Sequence, residues 1–233
     1  MTKQPLNIVE INPHSKPQAC VIWLHGLGAS GYDFVDIIPQ LKLPQQSSVR
    51  FVFPHAPVRP VTLNGGVPMR AWYDILSLDR GAPTDEAGIR ASADILNGLI
   101  AREKERGLTA GRIVVAGFSQ GGAIAMHAAL RYPEKLAGLM ALSTYLPLHD
   151  VFEAEILQNP RCGFQGLPIF MGHGSFDPML PMALGEGSAR LLRDSGFTVE
   201  WHDYPMAHAV CAQEIHDIRT WLLSVFVAGE RQD

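Results

Sequence analysis

The stretch GRIVVAGFSQGGAIAMHAALRYP, residues 111–133, constrains the fold more than any other part of the chain. Its apolar run RIVVA reads as a buried strand. The run passes through Gly117-Phe118-Ser119-Gln120-Gly121, a G-x-S-x-G pentapeptide, and straight into a small-residue helix that Pro133 ends. A serine at so sharp a strand-to-helix turn presents its oxygen at the carboxyl end of a sheet. Glycines on either side remove Cβ atoms that would clash there. The helix beginning beside it points N–H groups at any negative charge that develops. The pentapeptide alone is a weak signal, and its plain alternative is a glycine-rich turn whose serine caps the helix. The strand–turn–helix setting favours the reactive reading.

The rest of the chain repeats the alternation. Short apolar runs at Cys20–Leu24, Arg50–Pro54, Arg112–Ala116, Ala137–Ser143, Pro168–Gly172 and Thr198–Tyr204 are separated by helical periods. One helix carries Ile89, Ala93, Leu96 and Ile100 on a single stripe and closes with Lys104, Arg106 and Gly107. Another runs from Pro181 toward Gly196, and the last places Ile215, Ile218, Trp221, Leu222 and Val225 at helical spacing. Strands alternating with helices predict an α/β fold, a mostly parallel central sheet covered on both faces. With no internal repeat or linker, residues 1–233 are expected to form a single domain with no large cap. One segment, His55 to about Asp79, breaks the rhythm and holds much of the Pro and Gly punctuation. It is expected to lie over the strand ends, where ligands gather.

A serine nucleophile needs a base, and the base an orienting acid. In α/β-hydrolases these follow in the order Ser, Asp or Glu, His. The strand LPIFMG leads into HGSFDPMLP, which puts Asp177 past a strand's carboxyl end. TVEWHDY leads into PMAHAV, which does the same for His208. Asp150 also follows a strand and competes for the acid. Asp203 and His202 lie within a strand, His216 lies in mid-helix, and His173 is placed to hydrogen-bond loop backbone.

An earlier stretch, CVIWLHGLGASGYDF, contains Gly26-Leu27-Gly28-Ala29-Ser30-Gly31 and matches G-x-G-x-x-G. A dinucleotide site would want an acidic residue at the end of the second strand, and RFVFPHAP offers none. An acyl-transfer enzyme needs two backbone N–H groups aimed at a tetrahedral oxyanion. One comes from the residue after the nucleophile, Gln120, and the other from an early loop, here Leu27. The glycine-rich loop is thus read as half of an oxyanion hole. Because Gln120 is assigned only its backbone N–H, Gln120→Ala is expected to cost little.

Other function classes fare worse. A formal net charge of −4 offers no basic surface for nucleic acid or anionic lipid. The first residues lack a signal peptide's apolar core, and no run approaches membrane-spanning length, so stable membrane insertion is not expected. Three scattered cysteines suggest free thiols and a cytoplasmic location. There is no H-E-x-x-H, and Cys211 and His208 lack partners at metal-ligand spacing, so no metal is expected.

The sequence resembles the phospholipase/carboxylesterase family of small α/β-hydrolases, which includes bacterial carboxylesterases and acyl-protein thioesterases. The resemblance runs from about Cys20 to Phe226 and rests on LHGLGASGYDF, FVFPHAPVRPVTLNGGVPMRAWYDI, GFSQGGAIAMHAAL, ALSTYLP, PIFMGHGSFDPMLP and MAHAV. VTLNGGVPMRAWYDIL and ALSTYLP are most similar to the bacterial branch. The resemblance implies Ser119 as nucleophile, Asp177 as acid, His208 as base, and the Leu27 and Gln120 amides as the oxyanion hole. It also implies cleavage of carboxylic esters of short to medium acyl length, with acyl-protein thioesterase or lysophospholipase activity on longer chains as the alternative, and no cofactor. Eukaryotic thioesterases of the family commonly carry Asp-Thr where this chain has Ala29-Ser30, a departure that bears on protein depalmitoylation. Acyl contacts are expected from Val61, Leu63, Val67, Met69 and Trp72 in the long segment, and from Leu146, Met179 and Leu180. Each of these could equally be core. A homodimer is a further expectation. A catalytically silent hydrolase-fold binding protein is a second class of reading, opposed by the intact order of Ser119, Asp177 and His208.

Overall fold

The computed structural model describes residues 7–77, 83–158 and 166–229. In chain order its strands are β1 (Ile8–Ile11), β2 (Ala19–Leu24), β3 (Val49–Pro54), β4 (Val58–Pro60), β5 (Pro68–Arg70), β6 (Ile113–Phe118), β7 (Gly138–Leu142), β8 (Ile169–Gly174) and β9 (Val199–Tyr204). The helices are α1 (Ile37–Leu41), α2 (Glu86–Glu105), α3 (Gln120–Ala129), α4 (His149–Gln158), α5 (Met182–Asp194) and α6 (Ala212–Gly229). Seven strands form one sheet in the order β1-β3-β2-β6-β7-β8-β9. Only β1 runs antiparallel to its neighbour; the other pairings are parallel.

The period of two along a strand sorts the core into two layers. In β2, Cys20, Ile22 and Leu24 pack into one cluster with α2 and α3, while Ala19, Val21 and Trp23 pack into the other with α1 and α6. β6 divides in the same way, Ile113 and Val115 against Val114 and Ala116. Strands buried on both faces explain why each reads as an unbroken apolar run. The predicted stripe of α2 is buried, as are all five apolar residues proposed for α6.

β1, α1, α4 and the hairpin of β4 and β5 are additions to the elements expected from sequence. β1 is a four-residue edge strand whose side chains are only half-buried, so no apolar run announces it. Charge anchors it instead. Glu10 accepts hydrogen bonds from Arg102 at 2.6 Å and Arg106 at 2.8 Å, which hold its carboxyl down at about 2 although burial opposes them. Beside it Arg50 of β3 meets the fully buried Glu103 of α2 at 2.5 Å. The long segment after β3 contains β4, a short turn at Thr62–Asn64, and β5, so it is more ordered than its punctuation suggested. Leu78 and Asp79, at its end, lie outside the described residues, as does Cys162.

Parallel strands put their carboxyl ends on one edge. The loops leaving β2, β6, β8 and β9 there carry Leu27, Ser119, Asp177 and His208 respectively.

Candidate active site

Crowding at the end of β6 fixes the shape of the Ser119 turn. Ser119 has φ 55° and ψ −124°, a conformation unfavourable for any residue with a side chain and worth roughly 1–3 kcal/mol of strain. The surroundings enforce it. A Cβ on Gly117 would lie 2.3 Å from the Gly121 carbonyl oxygen, and a Cβ on Gly121 would lie 2.5 Å from that of His25. Both glycines of the pentapeptide are therefore required by backbone packing. The Ser119 N–H donates to Leu142 O of β7 at 2.9 Å, and the Thr144 hydroxyl donates to Ser119 O at 2.7 Å. α3 starts at the next residue, and all ten of its residues are buried.

Asp177 and His208 come together across two loops. His208 Nδ1 lies 2.6 Å from Asp177 Oδ2, so the ring donates through Nδ1 and leaves Nε2 for other work. The second oxygen, Asp177 Oδ1, accepts from the Met179 and Leu180 amides at 2.8 and 2.9 Å. Burial raises the affinity of Asp177 for a proton. The Leu180 amide, the His208 ring and the Met179 amide together outweigh it, and the carboxyl is held below its ordinary range. His173 donates from Nε2 to Leu180 O at 2.9 Å and so supports the same loop. The two loops are themselves joined, Ser175 N to Tyr204 O at 2.8 Å and Phe176 N to Met206 O at 3.1 Å. Phe118, next to the serine, packs its ring 4.7 Å from that of His208.

The rival residues are engaged elsewhere. Asp150 opens α4, with a side chain 84% exposed, and lies 2.9 Å from His149. Asp203 accepts from Ser175, and His202 meets Glu200 at 2.8 Å.

The HGLG loop lies against the serine: a Cβ on Gly26 would sit 3.4 Å from Ser119 Cβ. Gly28 takes φ 73° and donates to Arg70 O of β5 at 2.8 Å. Among the described residues neither the Leu27 nor the Gln120 amide donates to a protein acceptor. His25, at the root of this loop, is buried and donates through Nδ1 to Gly26 O while its Nε2 accepts from Ala56 N at 3.0 Å. Burial lowers its proton affinity, which suits this neutral tautomer.

Several expectations need correcting. Trp72 is not on the cleft wall. It is fully buried, its indole N–H donates to His25 O at 2.8 Å, and its carbonyl accepts from the Ser92 hydroxyl. Its backbone N–H donates to the side-chain oxygen of Gln120 at 2.8 Å, and the same amide's nitrogen donates to Tyr73 O at 2.7 Å. The Gln120 side chain thus joins the long segment to the serine turn, and the reading that gave it only a backbone role was incomplete. Val61 is likewise buried in the interior. Val67 and Met69 belong to the hairpin and its tip, outside the cleft lining.

The cleft itself has a volume of about 1540 Å³, and Ser119, Gln120, Leu27 and His208 all open onto it. Of the proposed acyl contacts, Leu63, Leu146, Met179 and Leu180 line it. Tyr73, Ile75, Leu148 and Leu184 line it too and were not singled out from sequence as acyl contacts.

A family model described as phospholipase/carboxylesterase matches residues 6–225. The chain belongs to the phospholipase/carboxylesterase family. It is 40% identical over 240 residues to acyl-protein thioesterase 1 of Mycosarcoma maydis, covering 96% of this chain and 98% of that one. It is 39% identical over 227 residues to acyl-protein thioesterase 1 of Neurospora crassa, covering 94% and 91%. The crystal structure of Zea mays acyl-protein thioesterase 2 superposes with a TM-score of 0.85 at 27% identity, over 94% of this chain and 99% of that one. The fold is that of the α/β-hydrolases, and the protein is a serine hydrolase acting on carboxylic esters or thioesters. Among the described residues no helix is long and apolar enough to cross a membrane.

Proposed function

We propose that the protein hydrolyses carboxylic esters through an acyl-Ser119 intermediate, with His208 as base and Asp177 as its orienting acid. The observation that carries this reading is the 2.6 Å contact between His208 Nδ1 and Asp177 Oδ2, facing the same cleft as Ser119. His208 takes the Ser119 proton as the oxygen attacks the carbonyl carbon. Asp177 stabilises the resulting imidazolium, and the Leu27 and Gln120 amides receive the oxyanion. Collapse of the tetrahedral adduct expels the alcohol or thiol, which takes the proton from His208. Water then repeats the steps to release the acid.

Short to medium acyl chains are the first reading, seated against Leu63, Leu146, Met179 and Leu180. Long-chain thioesters are the second, favoured by a cleft larger than the roughly 300–1,000 Å³ of common ligand pockets and by relatives named acyl-protein thioesterase. The reading includes one hydrolase domain over residues 1–233, a cytoplasmic setting for the thiols, and a homodimer formed through the exposed apolar residues near the cleft, Leu63, Phe176 and Met179.

A series of matched oxygen esters and thioesters of rising acyl length tests the substrate. A maximum at short oxygen esters supports the first reading, and one at long thioesters the second. Ser119→Ala is expected to lower kcat by about 10⁶-fold and to abolish labelling by a fluorophosphonate. A variant that keeps either property removes Ser119 from the mechanism.

A further inference from the structure

Glu214 lies in the first turn of α6, on the chain just past the loop that carries His208, and its residue is wholly buried. Neither carboxyl oxygen has a hydrogen-bond partner among the described residues. A charged group so placed would be among the most costly in a protein, and even a neutral one forfeits its bonds to water. Such a residue at a random core position is better replaced by leucine, so its surroundings matter.

Those surroundings are the roots of both catalytic loops. A Cβ on Gly172 of β8 would lie 2.2 Å from Glu214 Oε1 and 3.2 Å from the Tyr204 ring, so the carboxyl rests against the strand that delivers Asp177. Tyr204, the last residue of β9, donates its hydroxyl to Asp217 Oδ2 at 3.0 Å, one turn further along α6. Beyond Gly172, Gly174 is crowded by the backbone that precedes His208: a Cβ there would lie 2.3 Å from Ala207 O. On its other side the same turn of α6 supplies Ala212 and Ile215 to the cleft wall. Glu214 is therefore wedged between the helix that follows His208 and the strand ends from which Asp177 and His208 depart.

We propose that Glu214 is a positioning residue for the Asp177–His208 pair, one that holds the start of α6 against β8 and β9 only as a neutral carboxylic acid. When it loses its proton to solvent, the buried charge draws the first turn of α6 outward to be hydrated, and His208 moves with it. The groups around it set where this happens. Asp217 on α6 repels the charge. Tyr204 on β9 is committed to Asp217, His202 on β9 stacks on Tyr204, and Cys211 stands at the head of the helix. No cation among them neutralises the carboxylate. Burial, reinforced by Asp217, pushes Glu214 up to about 8.

This inference rests on the triad reading and is tested by the shape of the pH profile. The rate of 4-nitrophenyl butyrate hydrolysis is measured from pH 6 to 10, with Ser119→Ala as the blank and each profile normalised to its own value at pH 6. In the parent, kcat is expected to fall reversibly by about tenfold between pH 7 and 9, as one ionisation requires, with KM little changed. Glu214→Gln, which cannot ionise, is expected to lose that limb. Asp217→Asn removes the repelling charge, makes Glu214 easier to ionise, and is expected to move the limb to lower pH. A Glu214→Gln profile that coincides with the parent's overturns the proposal. If that variant does not fold, an Asp217→Asn limb that fails to move overturns it equally. A purely structural Glu214 would lower thermal stability in both variants and leave the normalised limb in place. Activity surviving in Ser119→Ala would instead bring down the triad reading, and this inference with it.

Discussion

Asp177, just past β8, and Glu214, in the first turn of α6, are two carboxyls with side chains withdrawn from solvent, and their surroundings could hardly differ more. Asp177 accepts two backbone amides and the His208 ring and stays ionised. Glu214 accepts nothing from the described residues, and burial pushes it toward the neutral form. Burial is common to both, so burial does not decide the charge. The number of donors aimed at each group does. Nature of charge then follows use: an ionised acid to stabilise an imidazolium, and a neutral one to fill the joint between a helix and the sheet.

The two groups bound stability from opposite sides. Asp177 is depressed, so its contribution is present above the ordinary carboxyl range and is lost as pH falls through its lowered value. Glu214 is raised, so its contribution is complete below the unfolded value of 4.5 and is lost as pH rises to about 8.

The largest effect that would break the comparison is at Asp177. Asp177→Asn is expected to keep the fold, by circular dichroism, and to lower kcat by roughly 10⁴-fold, because the amide presents the wrong hydrogen-bonding face to His208. A near-normal rate would return Asp150 to consideration. Glu214→Gln comes next. Its Tm should match the parent's at pH 5 and exceed it at pH 9 by on the order of 10 °C. Equal Tm values at both pH values would mean that Glu214 is not a buried acid in solution. Gln120→Ala sharpens the contrast with a third case, a neutral buried side chain whose partners are all present. It leaves the Trp72 N–H and Tyr73 carbonyl unpaired, and urea denaturation should show a loss of about 2 kcal/mol. The smallest effect is expected at the thiols. Cys20 is completely buried, and burial raises its proton affinity further, so native protein should react with a thiol reagent at Cys211 well before Cys20.

What could be read from sequence follows the range of the forces involved. The serine turn was legible because the clashes that demand Gly117 and Gly121 are local to strand, turn and helix. The loops of Asp177 and His208 were legible because parallel topology returns each strand end to the same edge. The role of the Gln120 side chain was not, since its partners lie at Trp72 and Tyr73, some distance back along the chain. Trp72 itself misled because an aromatic in an irregular segment has no periodicity to show which way it faces. Glu214 did leave a trace. It precedes Ile218, Trp221 and Val225 at steps of four, three and four, the phase of the buried stripe. An acidic residue in a helix's first turn has an ordinary explanation in the helix dipole, and that explanation hid the phase.

The hairpin of β4 and β5 has a consequence of another kind. Its base is fastened to the chemistry, through Gly28 to Arg70 and through Trp72 to Gln120 and His25. At its tip Gly65 and Gly66 have open space around them. A segment anchored at its root and free at its end tolerates changes of length and character at that end. Grafting a different tip there should leave the serine turn undisturbed, because every one of these attachments lies at the root.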